Sequence, residues 1–223
     1  TLLLLPLLSL LTANFGFAEF MLLTRGGIRL NVDWEFAEQA FLWAHLQRDD
    51  VVLSVGGNVG ATCLFIDRFV STAVRNKSLC VEPNPEIWPI LLQNRKLSGA
   101  SFGVETRILS RPARGNLSFV SRGFSSHIAG PEETPDFVIP TVDIDLSGAG
   151  FSVIVSDCEG CYCALFKEFP ELMAARLIIN ERDGKCEYDF DKFIAKHHFS
   201  KIGGSVGEAH PRHDVYSKDS LAC

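Results

Sequence analysis

Short apolar runs alternate with segments of helical periodicity along most of the chain. Residues 51–55, 78–81, 151–155 and 177–179 predict strands, and the last two have the composition of strands that are buried on both faces. A helix is predicted over residues 61–74, between the first two strands. Because strands alternate with helices, the pattern predicts an α/β fold with a doubly wound, mostly parallel sheet.

Weaker signals extend this pattern at both ends. Residues 24–32 alternate and predict a strand, after which Asp33 has the position of an N-cap for a helix rich in aromatic residues. Residues 102–109 predict the third strand of the first half. Residues 199–202 and His213–Ser217 predict the final two strands.

Residues 110–140 interrupt the alternation. They are rich in Ser, Arg, Gly and Pro and predict a long connection with one hairpin around residues 117–120. Long connections in compact domains are usually functional lids or mobile segments.

A glycine turn follows the first predicted strand. We call residues 56–60 the glycine turn; its backbone amides can approach a ligand because little side-chain bulk intervenes. The next strand ends in Glu82, about 20 residues on, where nucleotide-binding βαβ units place a ribose-binding carboxylate. The two pieces predict an adenosine-containing cofactor across the carboxyl ends of two adjacent parallel strands. The predicted cofactor-binding residues are Gly56, Gly57, Asn58, Val59, Gly60, Glu82 and Asn84.

The glycine spacing distinguishes between cofactors. A dinucleotide fingerprint needs glycines at its first, third and sixth positions. Counting from Gly56 the third position is Asn58, and counting from Gly57 it is Val59, so the fingerprint fails in both registers. This disfavours a NAD-dependent oxidoreductase. The turn is similar instead to the first motif of class I S-adenosylmethionine methyltransferases, which bind no phosphate.

Four ordered motifs resemble those of the FkbM-type methyltransferases, and a Thr-hydrophobic-Asp element precedes the third. The resemblance covers roughly residues 48–218. The motifs are Gly57-Asn58-Val59-Gly60, Glu82-Pro83-Asn84-Pro85, Asp157-Cys158-Glu159-Gly160 and Leu177-Ile178-Ile179-Asn180-Glu181, with Thr141-Val142-Asp143 as the preceding element.

The resemblance implies a Rossmann-like class I methyltransferase sheet of about seven strands, with the last strand antiparallel. It also implies S-adenosylmethionine as the cofactor and O-methylation of a small metabolite or a glycan-like acceptor. One departure is Ser54, which stands where the family usually has an aspartate. A serine supplies no charge there, so a non-catalytic module that kept the fold is the alternative.

Asp157 and Glu159 are the candidate catalytic residues. Methyl transfer depends mostly on positioning, and a hydroxyl acceptor must also lose its proton to a nearby base. Both acids follow a predicted strand and so lie at the ligand crevice. The structural alternative is that Asp157 caps a helix that starts near Gly160, with Glu159 favoured by the helix dipole.

Three further residues are weaker candidates for the acceptor pocket. Glu181 and Asp183 end the next strand and could line that pocket, although turns commonly hold such acids. His127 in the long connection is a candidate base, although a single loop histidine is more often solvated.

Size and charge narrow the acceptor. At 223 residues the chain fits one α/β domain with a short extension. Its net charge of −6 and pI near 5.5 disfavour a nucleic-acid partner, which normally meets a basic face. A small-molecule or glycan acceptor fits better.

The N-terminal segment, residues 1–23, is strongly apolar. Residues 2–11 have the length of a secretory hydrophobic region, and Gly16-Phe17-Ala18 offers small residues for cleavage. A cleaved signal, a membrane anchor and a packed helix all fit, so the location is the secretory pathway, a membrane or the cytoplasm. We expect residues 24–47 to form a strand and a helix, and the resemblance implies that residues 48–223 form a methyltransferase domain.

Seven cysteines leave at least one unpaired. Cys158 and Cys161 have a zinc-ligand spacing, but a structural zinc site usually needs two such pairs. The sequence therefore predicts no metal site and buried free thiols, without a disulfide framework.

Overall fold

The structure is a computed structural model, and it describes residues 21–24, 27–30, 36–111, 115–122, 126–182, 186, 188–204 and 213–218. The strands are β1 (Met21–Thr24), β2 (Gly27–Leu30), β3 (Val52–Val55), β4 (Leu79–Val81), β5 (Gly103–Glu105), β6 (Ile108–Leu109), β7 (Asn116–Val120), β8 (His127–Ile128), β9 (Phe137–Val142), β10 (Val153–Ser156), β11 (Leu177–Glu181), β12 (Ser200–Gly204) and β13 (His213–Ser217). The α-helices are α1 (Phe36–His45), α2 (Ala61–Phe69), α3 (Trp88–Leu97), α4 (Tyr162–Glu168) and α5 (Phe190–Lys196).

The main sheet has seven strands in the order β12-β13-β11-β10-β3-β4-β5. The pairs from β11 through β10, β3 and β4 to β5 are all parallel, whereas β13 is antiparallel to both of its neighbours. This confirms the predicted doubly wound sheet and its antiparallel last strand. The chain reverses its direction of winding between β3 and β10, which is where open α/β sheets bind ligands.

The core lies on both faces of this sheet because successive strand residues point to opposite sides. Val52, Val153 and Val215 pack in one cluster with apolar residues of α1 and α2. Leu53 and Ile154 pack in another cluster with α4 and α5. Packing between these two helical layers fixes the position of each strand in the sheet. It therefore also fixes the positions of the residues that follow the strands.

Two elements are shorter than predicted. The helix predicted to extend to residue 74 ends at Phe69, because Val70 takes an extended conformation while its amide still bonds to Ile66. The strand predicted over residues 102–109 is split: Arg107 bonds to the Glu105 carboxylate through both its backbone amide and its guanidinium, and β5 and β6 enter different sheets.

The predicted long connection forms a second sheet of order β6-β9-β7-β8. Strand β7 lies where the hairpin was predicted, but β8 and β9 were not predicted. Ile108, Phe119 and Ile139 form a small core of their own. The described part of this segment therefore contributes three strands to a sheet and is not a wholly irregular lid.

Arg111 joins the second sheet to the helical layer. Its guanidinium bonds to Asp143 at 2.9 Å and to Glu171 at 2.7 Å, and its backbone amide bonds to Glu168 at 2.7 Å. The guanidinium carbon lies 4.6 Å from the centre of the Phe169 ring. Asp143, part of the Thr-hydrophobic-Asp element, thus serves as an anchor for Arg111.

The N-terminal hairpin takes in the end of the apolar segment. β1 pairs antiparallel with β2, so residues 21–23 lie in a strand. Residues 2–11, residues 16–18 and Asp33 lie outside the described residues, so the predictions made there stand as predictions. Within the described part of the chain, no helix has the length and hydropathy needed to cross a membrane.

The expectation of free thiols is wrong. Disulfides join Cys63 to Cys80, Cys158 to Cys161 and Cys163 to Cys186, with Cα–Cα separations of 6.1, 5.4 and 5.5 Å. These separations lie within the range that a disulfide spans. The partners of two bridges come from different elements, which spacing in the sequence does not reveal. Cys223 lies outside the described residues.

Candidate functional site

The glycine turn is held against both neighbouring strands. The amides of Gly56 and Gly57 donate to the carbonyl oxygen of Val81 at 3.0 and 2.9 Å. Gly56 has φ +89°, and a Cβ there would lie 1.5 Å from the carbonyl oxygen of Asp157. A Cβ at Gly57 would lie 2.4 Å from the Cys80 sulfur. Glycine is therefore required at both positions, and the turn lies directly beside the end of β10.

Glu82 lies where it was predicted, at the end of β4. Its carboxylate is buried and accepts hydrogen bonds from the amides of Asn58 and Asn84, each at 2.8 Å. One bond reaches the glycine turn and the other reaches the chain after β4. The carboxylate is thus fixed at the edge between the two strands, as a ribose-binding acid must be.

Asn84 supports this arrangement through its side chain. Its amide nitrogen donates to the hydroxyls of Ser121 at 3.2 Å and Ser126 at 2.9 Å, and its oxygen accepts from the amide of Glu86. The side chain therefore joins the end of β4 to the second sheet, while the backbone amide holds Glu82.

The end of the glycine turn leads into α2. Gly60 has φ +98° and precedes the first helical residue. Val59 is fully buried, and its carbonyl oxygen accepts from the side chain of Asn94 at 2.8 Å. Val59 thus holds the turn through packing, and only its backbone can face a ligand. Ser54, the departure from the family pattern, is buried within β3.

Asp157 follows β10 at the switch point of the sheet. Its amide donates to the carbonyl oxygen of Val55 at 2.9 Å, which extends the β3–β10 pairing by one residue. The helix expected near Gly160 begins at Tyr162, and its N-cap residue, Cys161, makes no side-chain capping hydrogen bond. Asp157 is therefore not the N-cap of α4.

Glu159 lies in the short segment that precedes α4. Its φ is +53°, an uncommon value for a residue with a side chain. It lies between Cys158 and Cys161, which the disulfide ties together. The side chain is half-buried, and its catalytic role stays a prediction.

The structure brings Asp157 together with two residues that the sequence analysis missed. Glu38 of α1 and His213 of β13 each offer one ligand atom, and with Asp157 these atoms all lie within 4.8 Å of one another. Glu38 Oε2 is 3.8 Å from His213 Nε2, and both side chains are buried. The hydroxyl of Thr62 donates to the other oxygen of Glu38. We call Glu38, Asp157 and His213 the carboxylate–histidine cluster.

Each missed residue has a weak signal in the sequence. Glu38 precedes Leu42 by one helical turn, so it is an acid on the face of α1 that packs into the core. His213 is a histidine at the start of a strand that is buried along its whole length. Neither signal indicates that the two residues meet.

The weaker acceptor-side candidates fall in different places. Glu181 is buried and lies opposite His213 in the β11–β13 register, beside the cluster. Asp183 lies outside the described residues. His127 is in the second sheet, where its Nε2 is 3.1 Å from Glu133 Oε2. Hydrogen bonds from the Gly130 amide and from His127 lower the pKa of Glu133.

On the face of β13 opposite to His213, an acidic side chain forms ion pairs with basic ones. Asp214 pairs with Arg182 at 3.1 Å and with Lys201 at 2.6 Å. The Tyr216 hydroxyl donates to Asp191 at 2.7 Å. Burial, and then this bond to Asp191, raise the pKa of Tyr216, so the hydroxyl remains protonated at physiological pH. This network ties β13 to α5 as a structural element.

No protein-family model matches the chain, and no curated protein matches it in sequence. Membership of the FkbM family therefore stays a prediction. Among solved structures, a methyltransferase from Pyrococcus furiosus is similar at 15% identity and a TM-score of 0.47, with 96% of this chain and 95% of that chain covered.

Two other solved structures are similar to a comparable degree. Magnesium protoporphyrin IX methyltransferase from Synechocystis PCC 6803, with bound SAM, matches at 12% identity and a TM-score of 0.48, over 81% of this chain and 75% of that chain. An RNA methyltransferase from Salinibacter ruber, in complex with S-adenosyl-L-homocysteine, matches at 11% identity and a TM-score of 0.44, over 82% of this chain and 88% of that chain. At these values the fold assignment depends on the strand order and register described above.

Proposed function

We propose that this chain is an S-adenosylmethionine-dependent methyltransferase of the FkbM type, acting on a hydroxyl of a small metabolite or a glycan-like acceptor. The observation that carries the proposal is the buried Glu82 carboxylate, held by backbone amides beside the glycine turn at the switch point of the sheet. The seven-strand order with an antiparallel β13 agrees with the class I arrangement that the sequence motifs implied.

In this proposal the cofactor lies along the carboxyl edge of β3 and β4. Glu82 binds the ribose hydroxyls, and the amides of the glycine turn face the methionine end. The methyl group would then lie near Asp157, because Gly56 of the glycine turn lies directly beside that residue. The chain's contribution to rate is mainly the alignment of the acceptor oxygen, methyl carbon and sulfur.

The transfer itself is a single displacement. S-adenosylmethionine would supply the methyl group: the acceptor oxygen would form a bond to the methyl carbon while the carbon–sulfur bond breaks, and the sulfur would keep that electron pair. The acceptor proton passes to a nearby base, for which Asp157 is the candidate. The products are a methyl ether and S-adenosylhomocysteine.

Isothermal titration with S-adenosylmethionine and S-adenosylhomocysteine tests cofactor binding. Glu82→Gln keeps the size of the side chain but removes its charge, and loss of a charged hydrogen bond costs about 1.5–3 kcal/mol. We expect a Kd about 10- to 150-fold higher, since about 1.4 kcal/mol corresponds to a factor of ten. Glu132→Gln, at an exposed position in the turn between β8 and β9, is the matched control. Equal affinities in Glu82→Gln and the control would overturn the assignment.

A specific observation supports one alternative, a binding module without activity. Ser54 is buried in β3 where the family usually has an acid. Ser54→Asp separates the two functions by the same titration. A large gain in cofactor affinity would identify a decayed site, whereas no gain would fit an enzyme that works with serine.

The acceptor is best identified by transfer of a labelled methyl group. We propose a hydroxylated small molecule rather than a nucleic acid, because a chain with a net charge of −6 lacks the basic character typical of proteins that bind nucleic acids. Sugars, glycans and RNA should be offered in parallel with labelled cofactor. Incorporation into RNA alone would contradict the proposed acceptor class while leaving the methyltransferase assignment intact.

We also propose that the domain matures in an oxidising compartment. Three disulfides support this location, because thiols in the cytosol are normally kept reduced. The sequence predicted no disulfide framework, and the three bridges correct that prediction.

A further inference from the structure

We propose that the carboxylate–histidine cluster binds one divalent transition-metal ion at the carboxyl edge of the main sheet. Glu38, Asp157 and His213 come from α1, the end of β10 and β13, and their ligand atoms lie within 4.8 Å of one another. One imidazole nitrogen with two carboxylate oxygens suits ions such as Mn²⁺ and Zn²⁺. The sequence-based prediction of no metal weighed the cysteines alone.

The spacing within the cluster fits ligands of a shared ion. Glu38 Oε2 and His213 Nε2 are 3.8 Å apart, longer than the roughly 2.7–3.2 Å of a hydrogen bond. Two ligands that each bond to one ion at about 2.0–2.2 Å can lie up to about 4.4 Å apart. At the tetrahedral angle such ligands lie about 3.4 Å apart, so the Asp157 oxygen, which is within 4.8 Å of both atoms, would move by at most about 1.5 Å on binding the ion.

The charges also favour a cation. Glu38 and Asp157 place two carboxylates within a few ångströms of each other, and Glu38 is buried. Neighbouring carboxylates disfavour each other's ionised form, and a bound cation offsets that repulsion. Glu181, opposite His213 in the strand register, adds a third acid to this region.

The cluster has the arrangement of a catalytic metal site rather than a structural one. Catalytic sites combine three protein ligands with an open position. Glu38 and His213 are buried, whereas Asp157 is half-buried at the switch point of the sheet. The open position therefore faces the crevice, where water or an acceptor oxygen can bind.

The cluster is also connected to the proposed cofactor site. Thr62, the second residue of α2, donates a hydrogen bond to Glu38, and α2 begins immediately after the glycine turn. If the proposed function holds, an ion here would bind the acceptor oxygen, lower the pKa of its hydroxyl and orient it towards the methyl group. The binding of the ion itself does not depend on that function.

The test is a titration of chelator-treated, disulfide-intact protein with Mn²⁺ alone, followed by electron paramagnetic resonance, and with Zn²⁺ alone by calorimetry. We expect one site per chain. His213→Gln and Glu38→Gln should weaken metal binding by about 100-fold or more. Changes to residues that only hydrogen-bond to metal ligands already lower metal affinity by about 10- to 100-fold. His197→Gln, which alters an imidazole on the far end of α5 beside Phe193, is the matched control.

Asp157→Asn guards against a folding defect, because its side chain is only half-buried, and circular dichroism checks each variant. The proposal would be overturned if neither Mn²⁺ nor Zn²⁺ bound at one site per chain. Binding that all three variants retain would overturn it as well. Calorimetry with S-adenosylhomocysteine in the presence of EDTA is run separately, so a failure of the cofactor assignment is distinguishable from a failure of the metal site.

Discussion

The charged residues at the amino ends of the strands of the main sheet, which we call the amino edge, differ in arrangement from those at the carboxyl ends, the carboxyl edge. At the amino edge, Asp50 precedes β3 and Arg176 precedes β11, and the guanidinium binds both carboxylate oxygens. Ser152, which precedes β10, donates to the same carboxylate at 2.7 Å. At the carboxyl edge, Glu38 and Asp157 instead lie together beside His213.

This difference separates stability from binding. Asp50, which is paired with Arg176 and Ser152, holds three parallel strands together. Because its charge is already neutralised by the arginine, it is not suited to bind a ligand. The acids at the carboxyl edge lie near one another without a matching arginine in the contacts described above, so they contribute less to stability, and in the proposals above they bind a cofactor, a cation or a polar acceptor. Substitutions at the amino edge should therefore change folding alone, whereas those at the carboxyl edge should change binding.

The largest combined effect, on both stability and cofactor binding, is expected for Gly56→Ala. The new Cβ would lie 1.5 Å from the Asp157 carbonyl oxygen, on a residue with φ +89°. Overpacking and left-handed backbone together cost about 2–5 kcal/mol of unfolding free energy. Displacement of β10 from the glycine turn should also reduce cofactor affinity by more than a factor of 100.

Gly148→Ala is the control for this substitution, because nothing lies within 4 Å of a Cβ there. Chemical denaturation and calorimetry measure the two effects. A Gly56→Ala protein with native stability and native cofactor affinity would contradict the packing described here.

At the amino edge, Arg176→Met should cost about 3–5 kcal/mol of unfolding free energy, because it leaves Asp50 as a buried charge without its arginine. Cofactor affinity, measured on the folded protein, should remain within a factor of two. Urea unfolding and calorimetry give the two values. A loss of affinity without a loss of stability would remove the distinction between the edges.

A smaller effect is expected for the bridge between α2 and β4. Replacing Cys63 and Cys80 together by alanine opens a loop with a sequence separation of 17, which costs about 3 kcal/mol of unfolding free energy, measurable by urea unfolding.

Thiol titration of the oxidised, denatured parent should find one reactive cysteine among the seven, because the three disulfides of the described residues use the other six. Several reactive thiols would contradict the assigned bridges.

The sequence predicted the glycine turn and Glu82 better than the carboxylate–histidine cluster, for a physical reason. The glycine turn and Glu82 each follow directly from a strand, so local composition was sufficient to place them. Glu38 and His213 meet only because α1 packs over β13 in the folded sheet, and no local pattern encodes that contact. The pairing of Cys63 with Cys80 depends in the same way on the packing of α2 against β4.

The second sheet was only partly predictable. β7 was anticipated because its residues have strand-like composition. β9 contains Pro140, which normally argues against a central strand. In the register Pro140 pairs with β7 alone, because the pairing of β9 with β6 begins at Thr141, so the proline lies where β9 has a neighbour on one side only. The role of Arg111 as the anchor of this sheet depends on acids distant in sequence.

The most direct test of the account is a crystal structure of the protein with S-adenosylhomocysteine. We expect the ribose hydroxyls within hydrogen-bond distance of the Glu82 carboxylate, and the sulfur on the side of the glycine turn that faces Asp157. A nucleoside bound elsewhere on the molecule, or bound at this edge with its ribose away from Glu82, would contradict the account.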